Sequence, residues 1–72
     1  MGEPSHNLEE YQIRVIKERD DLQWKRTGLK KFIGSEVYSE LSQNEQVLLR
    51  LQLTHMDSYL DILNIRIGLF FK

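Results

Sequence analysis

The chain has 72 residues, with 10 basic and 11 acidic side chains and a formal net charge of −1. This length allows one small domain, and the charge lacks the basic excess that drives non-specific nucleic-acid binding. There is no cysteine, which excludes a disulfide framework and a thiolate metal site. Because no apolar run is long enough for a signal peptide or a membrane span, we expect a cytoplasmic protein with no sequence-specific nucleic-acid partner.

The first long helix is predicted over residues 8–33. Asn7 and Glu10 match a capping-box pattern at its start, and Gly34 is placed to end it. The polar residues 1–6 before it are expected to form a flexible lead, and residues 7–72 a single domain. The stripe of this helix consists of Leu8, Tyr11, Val15, Leu22, Leu29 and Phe32, interrupted by the charged residues Glu18 and Lys25.

The second half of the chain predicts a short helical turn followed by another long helix. Ser35 is placed to cap the turn, and Ser42 with Glu45 forms a capping box before a helix over residues 43–70. Apolar residues in that helix recur at alternating spacings of 4 and 3, which is typical of a seam that packs against another helix. The seam consists of Leu49, Leu53, Met56, Leu60, Leu63, Ile67 and Phe70.

The same helix carries a second apolar edge, which one partner helix cannot cover together with the seam. The edge consists of Leu48, Leu51, Tyr59, Ile62, Ile65 and Leu69. A core in so small a domain rarely contributes more than about 3–5 kcal/mol without further support. The sequence therefore predicts an all-α fold of two long antiparallel helices, a helical hairpin, that assembles into an oligomeric helical bundle. The seam and the edge residues Ile62, Ile65 and Leu69 are the predicted oligomer or partner interface.

Catalytic residues are not indicated by any pattern in the chain. His6 and His55 have no partner at metal-ligand or catalytic-triad spacing, and the four glycines do not form a phosphate loop. The carboxylate pairs one helical turn apart are typical of a solvated helix face. We therefore expect no enzyme activity, no metal site and no cofactor.

A basic and aromatic tract suggests a different kind of site. Trp24, Lys25 and Arg26 are followed by Lys30 and Lys31, residue types that bind phosphate oxygens and stack on bases. The competing interpretation is that the cations complement the helix dipole and that the tryptophan packs between subunits. In an assembly of hairpins, Tyr11 of one chain would meet Lys25 or Arg66 of another. The candidate ligand-binding residues are Tyr11, Trp24, Lys25, Arg26 and Arg66.

The sequence resembles small helical proteins of tailed phages and prophages, in particular the group named after an uncharacterised gene product of a crAss-like gut phage. Residues His6, Asn7, Leu8, Gln12, Arg14, Val15, Ile16 and Glu18 carry the first part of this resemblance, and Phe32 and Ile33 precede the linker. The second part runs from Leu41 to Ile67 and includes Glu45, Leu48, Leu49, Gln52, Leu53, Met56, Tyr59, Ile62, Leu63 and Arg66. The resemblance implies a phage accessory protein.

The chain is also similar, more loosely, to helical-hairpin phage proteins that sequester cyclic-nucleotide alarm signals between subunits. This similarity implies binding roles for Tyr11, Lys25 and Arg26. We therefore expect a non-enzymatic counter-defence protein that sequesters a host cyclic nucleotide or blocks a host defence protein. The alternative is a structural, assembly or regulatory protein–protein interaction module without a small ligand.

Overall fold

The computed structural model describes residues 8–71, and this part of the chain consists of three helices without a strand. Helix α1 spans Glu10–Ile33, α2 spans Glu36–Ser39 and α3 spans Gln43–Phe70. The two long helices pack against each other in antiparallel orientation, with α2 in the connector. The predicted all-α hairpin with a short helical turn is thus confirmed, whereas the predicted lead at residues 1–6 and the cap at Asn7 lie outside the described residues.

Helix α1 begins two residues later than the sequence predicted. Glu9 has extended backbone angles, φ −68° and ψ 158°, and is the N-cap residue. Its backbone N–H donates to Gln12 Oε1 at 2.7 Å, which provides the reciprocal contact of a capping box. At the other end, Gly34 follows the last residue of α1 as predicted, but with φ −86°. This backbone conformation is open to other residues, so the position does not require glycine.

The two serine caps of the connector are confirmed. Ser35 Oγ accepts a hydrogen bond from the backbone N–H of Tyr38 at 3.3 Å, at the start of α2. Ser42 Oγ accepts from the backbone N–H of Glu45 at 3.2 Å, at the start of α3. Each side chain satisfies an N–H group that has no partner within its own helix.

Tyr38 closes the tip of the hairpin. Its side chain is buried, and its hydroxyl donates to the Gln46 carbonyl at 2.9 Å and accepts from Arg50 Nη1 at 2.9 Å. The ring of Phe32 lies edge-on to it, with centroids 6.3 Å apart. The polar end of a buried tyrosine therefore joins α2 to the first two turns of α3.

The seam of α3 faces α1, and its C-terminal half forms the core. Leu63 is fully buried, Leu60 and Ile67 are buried, and Val15 of α1 packs with Leu63 and Ile67. The remaining seam residues of α3, which are half-buried, are Leu49, Leu53, Met56 and Phe70. Among residues 8–71 five hydrophobic side chains are buried, with Tyr38 at the tip apart from the others, and the hairpin is long and thin, with extents of 58 × 16 × 15 Å.

The stripe predicted for α1 is only partly right. Val15 is buried and Leu22 is half-buried, but Glu18 and Lys25 are exposed. The positions of α1 that complete the seam each lie one residue after a predicted stripe position. They are Gln12, Arg19, Arg26 and Ile33, and all are half-buried. Thus α1 turns a partly polar stripe towards an apolar stripe of α3.

The polar half of that stripe joins the two helices along one side of the hairpin, which we call the closed face. Arg26 Nε donates to Asp57 Oδ1 at 2.6 Å, and Arg19 Nη1 donates to Asn64 Oδ1 at 2.7 Å. The opposite side, on which Lys25 of α1 and Tyr59 of α3 lie together, is the open face. Within residues 8–71, no helix is long and apolar enough to span a membrane.

Candidate functional site: a groove on the open face

The open face contains a shallow groove of about 450 Å³ between α1 and α3. Leu22 and Tyr59 provide its apolar and aromatic surface. Its charged lining comes from about three turns of α1 and consists of Arg14, Lys17, Glu18, Asp21 and Lys25. Spacings of 3 and 4 residues place these side chains on one side of the helix. The groove is therefore built largely by one face of α1, with Tyr59 as its wall on α3.

The groove carries three cations and two carboxylates, so its formal charge is slightly positive. Among the described residues, neither Lys17 nor Lys25 forms an ion pair, and Arg14 lies 4.0 Å from Glu10 in an exposed pair. Exposed pairs of this kind contribute little free energy. The groove thus has cations available for an anionic ligand, and Tyr59, 43% exposed, offers a ring for stacking.

The predicted basic tract does not form one cluster. Lys25 lines the groove, Arg26 lies on the closed face bonded to Asp57, and Trp24 points to solvent with 79% of its surface exposed. Successive residues of a helix are rotated by about 100° from one another, so three neighbours cannot share a face. Of this tract, Lys25 alone belongs to the groove.

The other two predicted ligand residues also lie apart in a single chain. Tyr11 packs edge-on against Phe70 with centroids 6.0 Å apart, at the open end of the hairpin. It is about 21 Å along α1 from Lys25, at 1.5 Å per residue. Arg66 is exposed on α3, two turns beyond Tyr59. One chain therefore does not bring the five predicted ligand residues together.

The predicted interface residues divide between the interior and the surface. The seam residues contact α1 of the same chain, as described above. The residues of the second edge, which we call the apolar edge, are all exposed: Leu48 64%, Leu51 49%, Tyr59 43%, Ile62 56%, Ile65 66% and Leu69 57%. An exposed apolar stripe of this length, even with polar residues at its middle, is typical of an interaction site on so small a chain.

Several residues of the two faces were missed in the sequence. Arg14, Lys17 and Asp21 line the groove with Lys25, and their helical spacing from Lys25 was a usable signal. Asp57 and Asn64 were not predicted as partners of α1. They line a second recess of about 400 Å³ on the closed face, together with Gln23, Arg26, Leu60 and Asp61.

A metal centre has no candidate ligands in the part of the chain that the structure describes. No group of three or more histidine, aspartate or glutamate side chains lies close enough to hold a metal ion. None of the described polar or charged side chains is buried. This surface offers cations, aromatic rings and apolar groups to a ligand or partner.

The comparisons with known proteins agree with a phage origin. The chain is 42% identical over 60 residues to an uncharacterised 7.5 kDa protein from the denB-rIIB intergenic region of enterobacteria phage T4. The match covers 83% of this chain and 94% of the phage T4 protein. No solved structure matches.

The expected membership in a family of small phage proteins is thereby confirmed. These matches do not extend to the crAss-like phage group or to nucleotide-sequestering hairpins. The family model described as Sequestin matches residues 9–69, which include all of α1 and α2 and nearly all of α3. The chain belongs to the Sequestin family.

Proposed function

We propose that this chain is a non-enzymatic phage protein that acts in the host cytoplasm by sequestering a small anionic immune signal, a cyclic nucleotide. The family description implies a sequestering role. The groove on the open face is the observation that carries the proposal, because it places unpaired cations beside an exposed aromatic ring. Sequestration requires only tight binding, and the shallow groove has no arrangement of acid, base and nucleophile.

The residue types in the groove fit a nucleotide. Lys17 and Lys25 are available for phosphate oxygens, to which cations form charge-assisted hydrogen bonds. Tyr59 offers a ring on which a base can stack. The carboxylates of Glu18 and Asp21 suit the hydroxyl and amino groups of a sugar or base, and they disfavour a ligand that carries phosphate alone.

The groove in one chain is open, so we include homo-oligomerisation in the proposal. A ligand pocket usually buries most of the surface of its ligand. A second chain that covers the open face would enclose the ligand and add its own Tyr11 or Arg66 to the Lys25 of the first. For Tyr11, this arrangement would bring it to the Lys25 of another chain, whereas a single chain holds the two about 21 Å apart along α1.

The second candidate function is binding of a protein, either a host defence protein or a component of an assembly. The exposed apolar edge of α3 favours it, since such stripes often contact protein partners. In that case the groove has no ligand, and charge reversal at Lys25 leaves the activity of the protein unchanged.

Isothermal titration calorimetry with a panel of cyclic mono- and dinucleotides and their linear counterparts tests the proposal. Lys25→Glu should weaken binding at least tenfold, and Tyr59→Ala should weaken it as well. Lys31→Glu is the matched control, because Lys31 is an exposed lysine of the same helix outside the groove. If no cyclic nucleotide binds the wild-type oligomer, or if Lys31→Glu weakens binding as much as Lys25→Glu, the proposed site is wrong.

A further inference from the structure

We infer that the apolar edge of α3 is the contact between two copies of this chain, which pack their α3 helices antiparallel about a two-fold axis near Ser58 and Tyr59. The inference rests on the surface of α3 and is independent of the ligand. It specifies which residues of the two copies face each other, whereas the proposed function requires only that the chain forms an oligomer.

The solvent-accessible area of the chain is large enough for an interface with a second copy. The chain exposes 5627 Å² at a mass of 8.6 kDa. A compact monomer of this mass exposes about 4,700 Å². The excess of about 900 Å² is close to the roughly 800 Å² that each partner buries in a stable interface. The radius of gyration, 16.7 Å, likewise exceeds the value of about 11 Å for a compact chain of this length.

The distribution of apolar residues on the edge favours a second copy as that partner. The strongly apolar positions form two groups near the ends of the stripe. One group is Leu48 and Leu51, and the other is Ile62, Ile65 and Leu69. Polar residues occupy the stripe between the two groups, at His55 and Ser58. The midpoint of the stripe, halfway between its outermost leucines, lies between Ser58 and Tyr59.

An antiparallel copy centred on this midpoint pairs apolar residues with apolar residues towards the ends of the stripe, and it places His55 opposite Ile62 of the second copy nearer the axis. It places Leu48 opposite Leu69 of the second copy and Leu51 opposite Ile65 of the second copy. Both pairings recur on the other side of the axis, as a two-fold interface requires. A parallel copy would instead place each central residue of the stripe beside its own counterpart, so that His55 would face His55 of the second copy.

The polar residues that flank the stripe also favour the antiparallel arrangement. On the side of α3 that adjoins the groove, the stripe is bordered by Gln52, Tyr59 and Arg66 at intervals of seven residues. In the antiparallel register, Gln52 lies opposite Arg66 of the second copy, and the amide oxygen can accept from the guanidinium. In a parallel two-fold pair the two Arg66 side chains would lie on opposite flanks of the contact, and neither would reach Gln52 of the other copy.

This geometry places the two grooves on the same side of the dimer. Tyr59 lies opposite its own counterpart at the axis, and it belongs both to the edge and to the groove. The α1 helices of the two copies therefore flank one shared cleft, whose floor is the pair of α3 helices. If the proposed function is correct, one ligand can contact Lys25 of both copies.

Analytical ultracentrifugation of the full chain without ligand provides the first test. The wild-type chain should sediment as a dimer or a multiple of a dimer. Ile62→Asp should shift it to the 8.6 kDa monomer. Ile13→Asp is the matched control, because Ile13 is similarly exposed on the far side of α1, and it should leave the assembly unchanged. A wild-type monomer, or equal loss of assembly in both variants, would overturn the inference.

Cross-linking tests the register without disturbing the apolar residues near the axis. The chain has no cysteine, so single cysteines can be introduced and joined with a short bis-maleimide linker. Ser58→Cys should give cross-linked dimers in high yield. Leu69→Cys alone should not, because its copies lie about 30 Å apart in the antiparallel register, but it should react when mixed with Leu48→Cys. Efficient cross-linking of Leu69→Cys alone would indicate a parallel pair and overturn the inference.

These results separate the dimer from the proposed function. A chain that dimerises in the antiparallel register and binds no nucleotide would retain the dimer and refute the sequestration of a nucleotide. A chain that binds nucleotide and shows no cross-linking at Ser58→Cys would retain the ligand site and refute this dimer.

Discussion

Arg26 Nε donates a hydrogen bond to Asp57 Oδ1 at 2.6 Å and so joins the second half of α1 to the middle of α3. The two side chains are 26% and 47% exposed. A second contact of the same kind, Arg19 to Asn64 at 2.7 Å, lies two turns away on α1. Together they fix how the two helices are aligned on the closed face, where a slide of one turn would separate both pairs.

Replacing Arg26 by methionine should lower the free energy of unfolding by about 0.5–1 kcal/mol, because the ion pair with Asp57 is partly exposed to water. Urea denaturation followed by circular dichroism measures the change. The loss should shrink as salt is added, since ions screen the attraction in the wild-type chain. Arg14→Met is the control, because the exposed Arg14 lies 4.0 Å from Glu10 and should contribute less. Equal losses in the two variants would contradict a special role for Arg26.

Leu63→Ala should be the most destabilising truncation of a single side chain in the hairpin core. Leu63 is fully buried in the cluster that it forms with Val15 of α1 and Ile67. Removing a buried leucine side chain costs about 2–5 kcal/mol, which is most of the stability of a domain this small. Thermal unfolding should show a large fall in the midpoint, or no cooperative transition. Ile13→Ala, at an exposed position of α1, should leave the midpoint nearly unchanged.

Ser42→Ala should destabilise the start of α3 by about 1 kcal/mol, because the Ser42 hydroxyl accepts from the backbone N–H of Glu45. Thr27→Ala is the contrasting variant. The Thr27 hydroxyl donates to the Gln23 carbonyl inside α1, and alanine has the higher helix propensity there. Chemical denaturation should therefore show a loss for Ser42→Ala and no loss for Thr27→Ala. The cap would be irrelevant to stability if both variants unfolded at the same denaturant concentration as the wild type.

Gly28→Ala should raise the free energy of unfolding by about 0.5–1 kcal/mol. Gly28 lies inside α1, where glycine costs backbone entropy relative to alanine. A Cβ atom at this position would meet no atom within 4 Å. Differential scanning calorimetry of the two proteins measures the gain. A lower melting temperature for the variant would show that another chain approaches the backbone of α1 closely at this point, on the open side of the molecule.

The helices and their ends were largely predictable because the signals are local. The seam of α3 follows from a repeat of 4 and 3 residues, and Ser35 and Ser42 each act on an N–H group three residues ahead. The start of α1 was misplaced because Glu9 and Gln12 were overlooked in favour of the cap pattern at Asn7. Two overlapping cap patterns compete there, and the local sequence does not rank them.

The sequence by itself determined that two apolar-striped helices form a hairpin and that α3 has more apolar surface than one partner covers. The tertiary structure alone decided which side of α1 is turned inward. Val15, Leu22 and Leu29 fit either side of the helix. The apolar rings of Tyr11 and Phe32 suggested a stripe that continues through Glu18 and Lys25, and this stripe is wrong. The true seam includes Arg19 and Arg26, whose partial burial is favourable because Asn64 and Asp57 meet them from a helix more than 30 residues away in the chain. Such contacts depend on where α3 lies, and no pattern within α1 contains that information.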